Sequence, residues 1–100
     1  SHGAQRLLEL AMVLNQPHAM VLLDEPTAGL SLAEKQRVME LILGAARDSK
    51  VLMVEHDMSV VMNLATSVVV LHQGQVVLQG QPKEIRSSDL VRSIYLGVEG

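Results

Sequence analysis

Two carboxylates stand side by side at Asp24 and Glu25, directly after the aliphatic run Val21-Leu22-Leu23 and directly before Pro26-Thr27-Ala28-Gly29. The run reads as a buried strand that delivers both acids to its carboxyl end, where open α/β sheets place their ligands. Buried charge is costly unless something uses it, so paired acids capping an apolar strand suit a divalent metal or a proton-transfer step; the plainer alternative is a solvated loop start. A second apolar run, Val51 to Val54, ends in Glu55-His56-Asp57. His56 is either a hydrogen-bonded structural residue or a group working at the same sheet edge as Asp24 and Glu25. At the beginning of the chain, Ser1, Gly3 and Gln5 open a helical stretch. A hydroxyl and free amides at a helix N-terminus form an anion site, whereas a terminal Ser-His-Gly also reads as a bare helix cap or a cloning remnant. His2, His18 and His72 lie more than a dozen residues from one another and from His56. No pair has metal-ligand spacing, and these three read as structural or solvent-facing.

The elements that must position these groups follow from pattern and punctuation. Residues 3 to about 15 read as a helix ended by Asn15 and Pro17. Met20 to Leu23 is the first strand. Ser31 and Glu34 have the spacing of a capping box, starting a helix that runs to about Ala46. Val38, Met39, Ile42 and Ala46 recur on it at helical spacing and should face the sheet. Val51 to Val54 is the second strand, a short helix follows from about Met58 to Ala65, and Val68 to Leu71 is the third strand. Gln73-Gly74 turns the chain into Val76 to Leu78. Pro82 suits the first turn of a short helix, and Ser88 with Asp89 caps a last one reaching Tyr95. Aliphatic strands alternating with helices predict an α/β fold with a mainly parallel sheet covered on both faces. No repeat, low-complexity segment or linker interrupts the chain, which reads as one unit.

The bulk composition narrows the function classes. The 100 residues are 48% hydrophobic but contain no Phe or Trp and a single tyrosine, Tyr95. The core must therefore be aliphatic, and a chain of this length is marginal in the area it can bury. A net charge of −3 gives no basic footprint for nucleic acid, and aromatic platforms for single strands are missing. Absence of cysteine excludes a disulfide scaffold and a thiolate metal site. No signal peptide is read, and the apolar stretches are far too short to span a bilayer, so any membrane is expected to be reached through a partner.

Taken together, Ser1, Gly3 and Gln5 with Arg6 and Leu-Leu-Glu-Leu-Ala, then Asp24-Glu25-Pro26-Thr27, then His56 between two acids, resemble the ATPase subunit of an ATP-binding cassette (ABC) transporter from its signature motif onward. The resemblance spans essentially the whole chain. It divides residues 1–100 into a signature helix at 1–16, a Walker B to switch region at 19–57, and C-terminal strands and helices at 66–97. It implies that Asp24 holds Mg²⁺ through water, that Glu25 polarises the water attacking ATP, and that His56 contacts the γ-phosphate. Ser1, Gly3 and Gln5 would complete the nucleotide site of the opposing subunit. Residues 27–31 resemble the loop that crosses the dimer interface; Ser31 stands where many family members have Asp, so that contact is expected from Ala28 and Gly29. Gly-Leu-Ser, Glu-His-Asp-Met, Leu-His-Gln-Gly and Ile-Tyr-Leu-Gly resemble importers of branched-chain amino acids or urea. The partners implied are a second ATPase subunit and transmembrane permease subunits, with the protein peripheral on the cytoplasmic face of the membrane.

No G-x-x-x-x-G-K-[ST] occurs, and none of Lys35, Lys50 and Lys83 follows a glycine. The fold implied is thus a partial P-loop NTPase (RecA-like) core lacking the strand of the phosphate-binding loop, and a fragment expected to be inactive alone. The alternative is a non-catalytic truncated module that acts only by associating with another chain. In this family the missing strand separates the strands at 51–54 and 68–71. Its loss is expected to make those two strands pair directly, or to draw in a second copy of the chain.

Overall fold

The computed structural model describes residues 2–96. The chain resolves into two compact units, Ser1–Val60 and Val61–Gly100. The first unit carries both acidic strand ends. Helix α1 (His2–Leu14) leads to strand β1 (Met20–Asp24), helix α2 (Leu32–Ala45), strand β2 (Lys50–Val54) and the start of helix α3 (Met58–Leu64). β1 and β2 pair in parallel, with Leu22 opposite Leu52 and Asp24 opposite Val54. The intervening helix is what makes a parallel pair possible, since parallel strands need a long crossover.

Local chemistry explains the bounds of α2. The Ser31 hydroxyl accepts from the Glu34 amide at 3.2 Å, and the Glu34 carboxylate accepts from the Ser31 amide at 2.9 Å. This is the reciprocal capping box read from the sequence, and it satisfies two amides that the first turn cannot. Of the positions expected to face the sheet, Val38 and Ile42 are buried, Met39 is half-buried, and Ala46 is exposed. Ala46 falls outside the inward stripe because it is the C-cap, beyond the last helical residue. The loop before β1 is tied to the start of β2 by the Ser49 hydroxyl, which donates to the His18 carbonyl at 2.7 Å.

Two expectations about the sheet are corrected. The first is coverage on both faces. Along β1, Val21 and Leu23 are buried while Met20 and Leu22 are exposed, and along β2 Leu52 and Val54 are exposed. These exposed residues share one face by register. One crossover helix covers one face, and among the described residues of this unit there is no second crossover to cover the other.

The second is the mainly parallel sheet. The second unit is built on strands β3 (Val68–His72) and β4 (Gln75–Gly80), which pair antiparallel, so the strands form two two-stranded sheets, one parallel and one antiparallel. The cause is the turn: Gln73 and Gly74 both have positive φ, 50° and 77°, the conformation of a two-residue hairpin turn, which joins only antiparallel strands. Among the described residues β2 pairs with β1 and β3 with β4, so the direct pairing of β2 with β3 is not found. Helices α4 (Pro82–Arg86) and α5 (Asp89–Val91) follow, the latter capped by the Ser88 hydroxyl. A π-helical turn spans Arg92–Leu96, and from it the Tyr95 hydroxyl donates to the Leu71 carbonyl. Ile85 and Val91 are the deeply buried side chains of these helices.

Candidate active site

Parallel pairing brings the carboxyl ends of β1 and β2 side by side, and with them Asp24, Glu25, Glu55, His56 and Asp57. Asp24 ends β1 with an exposed side chain. The ladder runs one step further, the Glu25 amide donating to the Val54 carbonyl at 2.8 Å. There the chain breaks sharply out of the strand, because Glu25 has a φ of 46°. A non-glycine residue in this left-handed region costs on the order of 1–2 kcal/mol and persists only where neighbours hold it. The neighbours are visible: the Glu25 carbonyl accepts from Arg6 Nη2 at 3.2 Å and from the Ala28 amide at 3.1 Å.

The Glu25 side chain meets His56, Oε1 lying 2.6 Å from Nε2. With a carboxylate as acceptor, the hydrogen of that contact sits on Nε2. Both side chains remain open to solvent, 40% for Glu25 and 74% for His56, so a water or a ligand oxygen can reach them.

Beneath this pair lies a network with no counterpart in the sequence reading. The Glu55 carboxylate accepts from the Thr27 hydroxyl at 2.7 Å and, more weakly, from the Thr27 amide at 3.4 Å. Its other oxygen accepts from the amides of His56 at 3.0 Å and Asp57 at 3.3 Å. Asp57 in turn caps α3, one oxygen accepting from the amides of Ser59 and Val60, while the other pairs with Lys35 Nζ of α2 at 2.7 Å. The bond from Lys35 holds the Asp57 carboxyl below the usual carboxylate range; partial burial opposes this, and the Ser59 and Val60 bonds add to it. Sequence gave no signal for the Glu55–Thr27 bond, whose partners are 28 positions apart.

The other expected site residues are placed as follows. Ser1 lies outside the described residues. Gly3 is buried, and a Cβ there would overlap the Glu34 carboxylate, whose nearest oxygen would be 1.9 Å away; a larger residue would push aside that flexible side-chain end and disturb its bond to the Ser31 amide. Gln5 is exposed on α1. Ala28 and Gly29 are exposed on the loop after β1, and Gly29 turns it with a φ of 75°. Among the described residues no group of three or more His, Cys, Asp or Glu side chains could enclose a metal. A site built on Asp24 alone fits only an ion that keeps most of its waters and takes its remaining ligands from substrate, as Mg²⁺ does. No helix among the described residues is long and apolar enough to cross a membrane.

Comparison with known proteins adds kinship to this geometry. No family model matches the chain. The high-affinity branched-chain amino acid transport ATP-binding protein LivG of Salmonella typhimurium is 37% identical over 99 residues, which are 97% of this chain and 39% of that protein. The corresponding protein BraF of Pseudomonas aeruginosa is equally similar, 37% identical over the same shares. The hemin import ATP-binding protein HmuV of Rhodococcus jostii is 38% identical over 95% of this chain and 33% of its own length. The crystal structure of an ATP-binding cassette of an ABC transporter, in its ADP conformation, superposes with a TM-score of 0.80 at 27% identity, covering 98% of this chain and 41% of that one. The chain thus spans about two fifths of the length of the curated relatives it matches.

Proposed function

We propose, from the premise that the chain is a member of the ABC transporter ATPases, that it is the part of such a subunit that activates water for ATP hydrolysis. The observation that carries the reading is the 2.6 Å contact of Glu25 with His56 at the ends of two parallel strands, one residue beyond Asp24. Asp24 would hold Mg²⁺ through water, and the ion when bound would neutralise charge on the β- and γ-phosphates. Glu25 accepts a proton from, or orients, the attacking water. His56 donates from Nε2 to the Glu25 carboxylate and holds it in place, and with nucleotide bound the same N–H would be redirected to a γ-phosphate oxygen. Ser1, Gly3 and Gln5 would serve the nucleotide of an opposing subunit, with Ala28 and Gly29 crossing between the two.

The wider setting belongs to the same proposal. The subunit dimerises, binds transmembrane permease subunits and lies on the cytoplasmic face of the membrane through them. It powers an importer, with branched-chain amino acids or a related small polar solute as cargo. LivG and BraF support that cargo; the similar identity to a hemin import protein supports the importer reading more broadly. The sequence holds no lysine-bearing phosphate loop, so the chain alone should neither turn over ATP nor bind it tightly. Calorimetry checks this, and micromolar Mg-ATP affinity of the purified chain would refute it. In a full-length ATPase carrying the chain, Glu25→Gln should keep nucleotide binding and lose nearly all turnover, and His56→Ala should also lower kcat. Wild-type turnover by the Glu25→Gln protein would show that Glu25 does not activate the water.

A further inference from the structure

We propose that Glu55 is a positioning residue, setting the distance and angle at which Glu25 meets His56; the inference rests on the hydrolytic reading of that pair. The pair is too exposed to fix its own geometry, since ionic contacts in open solvent contribute little. Something firmer must hold the two loops in register. Past the bond from the Glu25 amide to Val54, the β1–β2 ladder has ended. The bridge that takes over is the Glu55 carboxylate. One oxygen takes the hydroxyl and amide of Thr27, two residues after Glu25; the other takes the amides of His56 and Asp57.

Three features give this bridge its specificity. All three backbone groups it binds are donors, so it needs an acceptor on both oxygens. Thr27 is only 1% exposed, so water cannot replace Glu55 as partner to its hydroxyl. Glu25 itself sits in an unfavourable left-handed conformation that has to be imposed from both sides, and Glu55 anchors the downstream side two residues on. Arg6 and Val54 hold the upstream part and the turn itself.

Glu55→Gln tests the assignment. The substituted amide keeps one acceptor and sets an NH₂ against donors, so one half of the bridge is lost. On the chain itself, amide hydrogen exchange should accelerate on the side that meets the NH₂, either at Thr27 or at His56 and Asp57, while Leu23 in the strand stays protected. In the full-length ATPase, kcat should fall about tenfold to a hundredfold with KM little changed, the scale seen for groups that orient working residues. Thr27→Val should reproduce the loss and Thr27→Ser should restore turnover, which tests the same bond from its other end should the Glu55 variant fail to fold. In a His56→Ala background, Glu55→Gln should lower kcat no further. An equal drop in that background, or full turnover by the Glu55→Gln protein while Glu25→Gln and His56→Ala are impaired, would overturn the positioning role alone. Full turnover in Glu25→Gln and His56→Ala would overturn the hydrolytic reading and this inference with it.

Discussion

Glu25, His56 and Asp57 occupy three neighbouring positions with three different demands. Glu25 keeps its carboxylate 40% exposed while its backbone takes a left-handed φ of 46°. His56 is mostly exposed, its side chain meeting Glu25 and its amide donating to Glu55. Asp57 is the structural member: its side chain is about a quarter exposed, paired with Lys35 and capping α3. That difference is measurable through pH. Because Lys35 lowers the Asp57 pKa on folding, the folded state takes up that proton less readily than the unfolded chain. The resulting stability is complete above the ordinary carboxylate pKa and is lost as pH falls through the lowered folded one. Glu34, lowered chiefly by its bond to the Ser31 amide, acts in the same direction. Asp57→Asn keeps a cap for α3 but removes the charge pair. It should cost about 1 kcal/mol at neutral pH, and the gap to wild type should close in acid; urea melts between neutral and acidic pH read it directly. A gap that stays constant with pH would mean that the Lys35 contact contributes nothing.

At the scale of elements, what could be read in advance was local. The box that starts α2 lies within four consecutive residues, so Ser31 and Glu34 announced it, and both of its bonds are present. Ser31→Ala should therefore cost about 1 kcal/mol, whereas Ser31→Asp should preserve stability because aspartate caps as well; thermal melts of the two variants check the pair. The same locality made β1, β2 and the two-residue turn at Gln73-Gly74 legible. Facing was harder to read. Val21, Leu22 and Leu23 are all aliphatic, so nothing in their sequence distinguishes the buried Val21 and Leu23 from the exposed Leu22. Partners distant along the chain were invisible for a different reason. Glu55 could bond any donor near it, and only the parallel pairing of β1 with β2 brings Thr27 there. The positive φ of Glu25 was equally unreadable, because glutamate has no preference for that region and neighbours impose it.

For the whole molecule, the exposed faces and edges set the behaviour of the isolated chain. Each sheet has two strands, and a two-stranded sheet is marginal on its own because both outer edges carry unpaired amides and carbonyls. In the first unit those edges border an apolar face on which Met20, Leu22, Leu52 and Val54 are 53%, 69%, 56% and 56% exposed. Charge flanks this face only at Asp24 and Lys50, at opposite ends of the two strands, so little repels an approaching strand along its middle. In a solution of the purified chain, the same face or edge of a second copy can cover it. A two-fold pairing of that kind satisfies both copies at once. Light scattering should therefore show mass rising above the monomer as concentration increases through the micromolar range. Leu22→Glu with Leu52→Lys, placed opposite each other in register, should keep the circular dichroism of the folded chain and return it to monomer. Salt will not mimic that reversal, since the contact is apolar and hydrophobic burial is not screened by ions. A wild-type chain that stays folded and monomeric at high micromolar concentration would show that the open face carries no self-association.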